Sequence, residues 1–174
     1  MADRVLKNVS VGSSLSDIVI KAGRIAFVGK SGLPGEDMGG LKAFAGLIDI
    51  HTHGALGHDV TSGGHLEELS DYQSSQGVTA WFPTTTTASS ETIRRVTHER
   101  TDFDHGARIM GFHMEGPYVS KKHKGAQNED FIKNPSLEEF KTFTNVNMIT
   151  LAPELPGAFE FIEKCGAKCI IGHS

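Results

Sequence analysis

Cysteine is scarce: Cys165 and Cys169 are the only two in 174 residues. Two thiols at this spacing suit neither a disulfide framework nor a zinc knuckle. They read as core packing, one ending a helix and one in a strand. Long apolar runs are missing as well. No stretch approaches the ~18 residues of a transmembrane helix, and Met1-Ala2-Asp3-Arg4 opens without a signal-peptide core. A cytoplasmic location is therefore expected. There is no Lys/Arg block, and the net charge is −4, so neither a nucleic-acid footprint nor a membrane-surface patch is expected. No G-x-G-x-x-G follows a strand-like run, which argues against a dinucleotide fold.

What is present is an ordinary globular composition, 38% hydrophobic and 22% charged, in a chain long enough for a sizeable core. Its most informative stretch is Gly46-Leu47-Ile48-Asp49-Ile50-His51-Thr52-His53-Gly54. The apolar residues read as a buried strand. Side chains two apart on a strand share a face, so His51 and His53 can converge on one ion while Thr52 points away.

The first 45 residues read as β-structure. Val9–Val11, Ser16–Lys21 and Arg24–Gly29 are β-branched runs, with a hairpin turn at Ala22-Gly23. From Gly46 the rhythm becomes strand, loop, helix. Strands are expected at 46–53, 78–83, 108–115, 147–152 and 168–173. Helices are expected at 64–76, from Ser89 or Ser90 towards Arg100, at 137–143 and at 156–165. Ser136 and Glu139 form a capping-box pattern. Alternation of this kind implies βα units on a parallel sheet. The polar residues of interest fall at strand C-terminal ends, where a (β/α)8 barrel builds its active site. The expected fold is thus α/β: a small all-β portion over 1–45, then barrel strands over 46–174. A full barrel needs eight strands, and five are discernible, so the sequence is expected to be the N-terminal part of a longer protein. A complete five-stranded α/β domain is the alternative.

Four candidate ligands come from three strands: His51, His53, Glu115 and His173. Imidazoles with one carboxylate suit Zn²⁺ or Fe²⁺, as one or two ions. The set could be His51, His53 and Glu115, or Glu115 and His173 with a further residue. Glu115 could also bridge two metals. Asp49 and His113 share the parity of the ligands one pleat deeper and read as partners that orient them. His58, His65, His98, His105 and His123 read as surface residues, with His58 the one to watch because it follows the metal strand. Thr84–Thr87 suit either a pocket lining or a solvated loop. Lys121-Lys122-His123-Lys124 could attract an anionic substrate such as a phosphate, or be a solvated basic loop.

The 46–54 stretch resembles the opening motif of the amidohydrolase superfamily. Phe112-His113-Met114-Glu115-Gly116-Pro117-Tyr118, Lys124-Gly125-Ala126-Gln127-Asn128, Leu151-Ala152-Pro153-Glu154 and Ile171-Gly172-His173-Ser174 are similar to motifs of the N-acetylglucosamine-6-phosphate deacetylase family within it. The resemblance implies metal-dependent hydrolysis of the acetamide of N-acetylglucosamine 6-phosphate, giving glucosamine 6-phosphate and acetate. It implies a barrel flanked by a small β-sandwich, usually in a homodimer. It makes Glu115 and His173 metal ligands, with His51 and His53 holding the second metal in members that have one. Ala126 and Gln127 become substrate-binding positions, although Gln127 stands where many members have a histidine. Ala45 likewise replaces a usual proline. No aspartate in these residues matches the family's acid/base position, which is expected beyond Ser174. The chain alone is therefore expected to be inactive or nearly so. Another amidohydrolase acting on a different amide, or a non-catalytic metal-binding module, are the competing readings.

Overall fold

The computed structural model describes residues 3–174, which divide into two compact units, one through Ala45 and one over Gly46–Ser174. In the first, β1 (Arg4–Val11), β2 (Ser14–Lys21) and β3 (Arg24–Gly29) form an antiparallel meander. Ala22 and Gly23 both adopt positive φ, 48° and 74°. That is the two-residue type I′ geometry matching the twist of the flanking strands. Two short strands follow, β4 (Glu36–Asp37) and β5 (Lys42–Ala43); both pair parallel with β1. Buried Asp17 accepts hydrogen bonds from the Ser31 backbone N–H (2.9 Å) and hydroxyl (2.7 Å).

The second unit is a parallel sheet wound in chain order like half a barrel. Its strands are β6 (Leu47–Thr52), β9 (Val78–Thr85), β10 (Arg108–Ile109) with β11 (Phe112–Glu115), β12 (Val146–Leu151) and β13 (Lys168–Ile171). Between β6 and β9 lies a hairpin, β7 (Gly54–Ala55) and β8 (His58–Asp59). Leu56 and Gly57 turn it at φ 55° and 84°. The strand expected over 108–115 is broken into two at Gly111, which sits at φ 114°. A Cβ there would meet the Asn147 side chain at 2.5 Å.

The helices are α1 (Leu66–Ser75), α2 (Ser90–Thr97), α3 (Leu137–Phe140) and α4 (Ala158–Lys164). Ser89 caps α2 by accepting from the Thr92 N–H. On α1, Leu66, Leu69, Ser70 and Gln73 are buried, the i, i+3, i+4, i+7 stripe of a half-buried helix. Trp81 is fully buried against α1 and donates its indole N–H to Ser70 Oγ at 3.1 Å. Around it lie Val60, Leu66, Leu69, Val96 and Phe112. A second cluster joins Met114, Ile149 and Leu151 of the strands to Ile93, Phe140 and Phe161 of the helices. Cys165 and Cys169 pack against this cluster, their sulfurs 3.4 Å apart as free thiols. Burial pushes the Cys169 thiol up to about 12, so it is an unreactive packing group.

Two expectations need correction. β6 is not buried: Leu47, Ile48 and Ile50 are 54, 62 and 48% exposed. The strand has only β9 as a strand neighbour among the described residues. The capping box at α3 is half formed. Ser136 accepts from the Glu139 N–H at 3.2 Å, but the Glu139 carboxylate binds Lys133, Ser90 and Tyr118 rather than turning back to the cap. Burial raises the Glu139 pKa, yet these donors outweigh it and hold the carboxyl below its ordinary value. A depressed carboxylate stabilises the fold above its unfolded pKa and loses that contribution as pH falls through its folded one. Glu139→Gln should therefore lower stability by roughly 1–3 kcal/mol near neutrality. The deficit should shrink progressively below about pH 4, as read by thermal melts across pH.

Candidate metal centre

Glu115, at the end of β11, is only 8% exposed, and three histidines surround its carboxylate. His53 Nε2 lies 3.0 Å from Oε2 and His173 Nε2 3.1 Å from Oε1. His51 Nε2 lies 3.6 Å from Oε1. The two Nε2 atoms of His51 and His53 are 3.2 Å apart. His51 belongs to β6 and His53 follows that strand directly, while His173 lies two residues past β13 at φ 52°. Three strand ends thus deliver the four groups to one place.

The protein fixes the tautomers. His53 Nδ1–H donates to the Thr84 carbonyl at 3.0 Å, and His173 Nδ1–H donates to the His123 carbonyl at 3.0 Å. In each neutral ring, Nε2 is left with its lone pair aimed at the carboxylate. The result is a convergence of acceptors that calls for a proton or a cation between them. Ligands at tetrahedral corners around Zn²⁺, about 2.0–2.1 Å from the ion, stand about 3.3 Å apart. The spacings here, 3.0 to 3.6 Å, match, so the residues fit a divalent ion. With only protons available, His53 is pulled above its ordinary pKa, chiefly by its hydrogen bond to Glu115. Burial pushes the Glu115 carboxyl up, but hydrogen bonds from His53 and His173 and the charges of His53 and His51 bring it down to about 2.

The surrounding residues divide by what they touch. His113 is 1% exposed, donates from Nδ1 to the Ile50 carbonyl (2.8 Å) and meets the Thr150 hydroxyl at Nε2 (2.8 Å). Both its nitrogens are engaged and burial lowers its pKa. It is a neutral strut that anchors the backbone just before His51 and packs edge-on to that ring at 4.9 Å. Asp49 does not reach an imidazole. It accepts from the His51 backbone N–H at 2.9 Å, from the Thr52 hydroxyl and from Gln73 of α1. The β6–β9 register slips between Asp49 and Thr52, so strand parity does not carry through this segment.

Gln127 is 6% exposed and used at both ends. Its amide N–H donates to Glu115 Oε2 at 2.7 Å, and its oxygen accepts from the Thr87 N–H at 2.6 Å. It braces the carboxylate, while neighbouring Ala126 is exposed. Thr84 and Thr87 are buried rather than part of a solvated loop. Besides its carbonyl on His53, Thr84 accepts from the Thr52 N–H at 3.1 Å. These supporting roles lacked a sequence signal beyond position after a strand. Of the histidines read as surface residues, His58 and His65 come together with Glu68.

No family model matches the chain. Curated relatives do. It is 34% identical over 151 residues to the N-acetylglucosamine-6-phosphate deacetylase of Vibrio furnissii, covering 79% of this chain and 38% of that one. It is 30% identical over 141 residues to the N-acetylgalactosamine-6-phosphate deacetylase of Escherichia coli O157:H7, covering 73% and 37%. The solved N-acetylglucosamine-6-phosphate deacetylase of Thermotoga maritima superposes with a TM-score of 0.84 at 29% identity, covering 98% of this chain and 48% of that structure. The chain thus spans less than half the length of these proteins. In sequence and in fold, it is a partial-length relative of the N-acetylglucosamine-6-phosphate deacetylases.

Proposed function

We propose that this chain supplies the first five strands and the metal ligands His51, His53, Glu115 and His173 of a (β/α)8 amidohydrolase. The enzyme would deacetylate N-acetylglucosamine 6-phosphate to glucosamine 6-phosphate and acetate. Residues 1–45 would be part of a flanking β-sandwich and 46–174 part of the barrel, in a cytoplasmic homodimer. The observation that carries the reading is the convergence of His51, His53 and His173 on buried Glu115.

Zn²⁺ or Fe²⁺, as one or two ions, would be held by those four side chains. When bound it supplies Lewis acidity for the amide carbonyl and lowers the pKa of water. The remaining work belongs to the chain. Gln127 holds the carboxylate in place, Thr84 and the His123 carbonyl fix the imidazole tautomers, and His113 holds β6 against β11 and β12. Asp49 steadies the His51 backbone. The basic turn Lys121–His123 follows Glu115 and touches His173 through the His123 carbonyl, a position suited to drawing in an anionic sugar phosphate. Ala126 lies exposed beside it. A second reading, the galactosamine epimer as substrate, is favoured by the Escherichia coli relative.

The test is acetate release from the two epimeric sugar phosphates and from unphosphorylated N-acetylglucosamine. The 174-residue chain alone should release none above buffer, since no aspartate here matches the acid/base. Joined to the remaining length of the Vibrio furnissii relative, it should act on a phosphorylated sugar, and Glu115→Ala should remove that activity. Turnover by the chain alone, or preference of the joined protein for the unphosphorylated sugar, would overturn the proposal.

A further inference from the structure

We infer that His58, His65 and Glu68 form a second metal site, at the surface, for a divalent transition ion of the Zn²⁺ kind. His58 comes from β8, His65 is the residue preceding α1, and Glu68 lies in its first turn. Three residues apart at a helix start, His65 and Glu68 share a face, and the hairpin brings His58 over them. His58 Nε2 lies 3.3 Å from Glu68 Oε2, and His65 Nδ1 lies 3.5 Å from the same oxygen. The three ligand atoms all fall within 4.8 Å of one another. The two distances to the Glu68 oxygen are close to the edge of about 3.3 Å in a tetrahedral zinc site.

The imidazoles are stacked, with ring centroids 3.7 Å apart and planes at 15°. A metal meets an imidazole nitrogen near the plane of its ring, so an ion that takes both must turn these exposed rings out of the stack. His65 occupies the N-cap position without a side-chain capping bond, so its ring is not committed to the helix and can make that turn beside Glu68. With side chains 30, 43 and 53% exposed, water can fill the remaining positions. Two imidazoles and a carboxylate select Zn²⁺, Co²⁺, Ni²⁺ or Cu²⁺ over Mg²⁺ and Ca²⁺. The site shares no residue with the Glu115 centre, yet it acts next to it. The hairpin begins at the residue after His53, and the Val60 N–H donates to the His53 carbonyl at 2.7 Å. An ion here clasps that hairpin to α1 and steadies the segment presenting His53.

Zn²⁺ and Co²⁺ equivalents are measured by equilibrium dialysis near neutral pH on the wild-type chain, on Glu115→Ala and on His58→Ala/His65→Ala. The wild type should hold one equivalent more than the double variant. Glu115→Ala should keep that equivalent, and excess Mg²⁺ should not displace it. In Glu115→Ala, zinc should shift the His58 and His65 ring resonances together. Glu68→Gln, which keeps both imidazoles, should weaken this site at least tenfold. Equal stoichiometry in wild type and double variant, or unmoved His58 and His65 resonances at excess zinc, would overturn the inference.

Discussion

Glu115→Ala is expected to abolish metal binding at the strand-end centre, with affinity falling by more than about 100-fold. Loss of an outer partner costs 10- to 100-fold, and Glu115 is the group that all three histidines face. Gln127→Ala, which acts only through that carboxylate, should cost about 10- to 100-fold. Titration calorimetry with Zn²⁺ on the metal-free chain measures both. The same experiment carries a pH signature. Without metal, His53 has a raised pKa and Glu115 one near 2. The Glu115 contribution to stability is present above its unfolded pKa, near 4.5, and fades as pH falls towards 2. The His53 contribution is complete below its unfolded pKa, about 6.5, and fades as pH rises through its raised folded value. An arriving ion must displace the His53 proton. Zinc affinity should therefore climb with pH across that range, and the apparent heat should change with buffer ionisation enthalpy. A pH-independent affinity would mean that His53 does not ligate.

Trp81→Ala should be the most damaging change to the fold. The side chain is fully buried and its indole N–H is satisfied by Ser70. Removing a core tryptophan costs about 3–5 kcal/mol, and the Ser70 hydroxyl loses its partner as well. For a chain of this size that lowers Tm by roughly 10 °C. Circular dichroism is the appropriate probe, because Trp81 is the only tryptophan. Phe44→Ala, at a side chain 78% exposed, should shift stability by less than about 0.5 kcal/mol. A small effect at Trp81 would mean that the α1–β9 packing is not what holds this unit together.

The parts legible in the sequence are those governed by period and chain order. β-branched runs marked the meander, and alternation marked the parallel strands. The His51, His53, Glu115 and His173 set could be picked out because each follows an apolar run. The hidden parts depend on contacts between distant segments. Gly111 takes φ 114° where its strand breaks, at a spot where a Cβ would meet the Asn147 side chain, and neither residue alone signals this. Asp49 has the right parity, but a register slip and a partner on α1 take it elsewhere. Gln127 lies 12 residues from the carboxylate it braces, beyond any local pattern. The hairpin at Leu56-Gly57 lacks the Asn-Gly or Asp-Gly signature of its turn type. The clustering of His58 with His65 was hidden with it.

The two outer strands of the parallel sheet carry a practical consequence. β6 and β13 each have a single strand neighbour among the described residues, and Ile48 and Ile171 on them are 62 and 71% exposed. An unpaired row of amides beside greasy side chains is a template for strand addition. Concentrated solutions of these 174 residues are thus prone to stitch copies together rim to rim. The shelf life of the isolated polypeptide would then be set by concentration as much as by temperature.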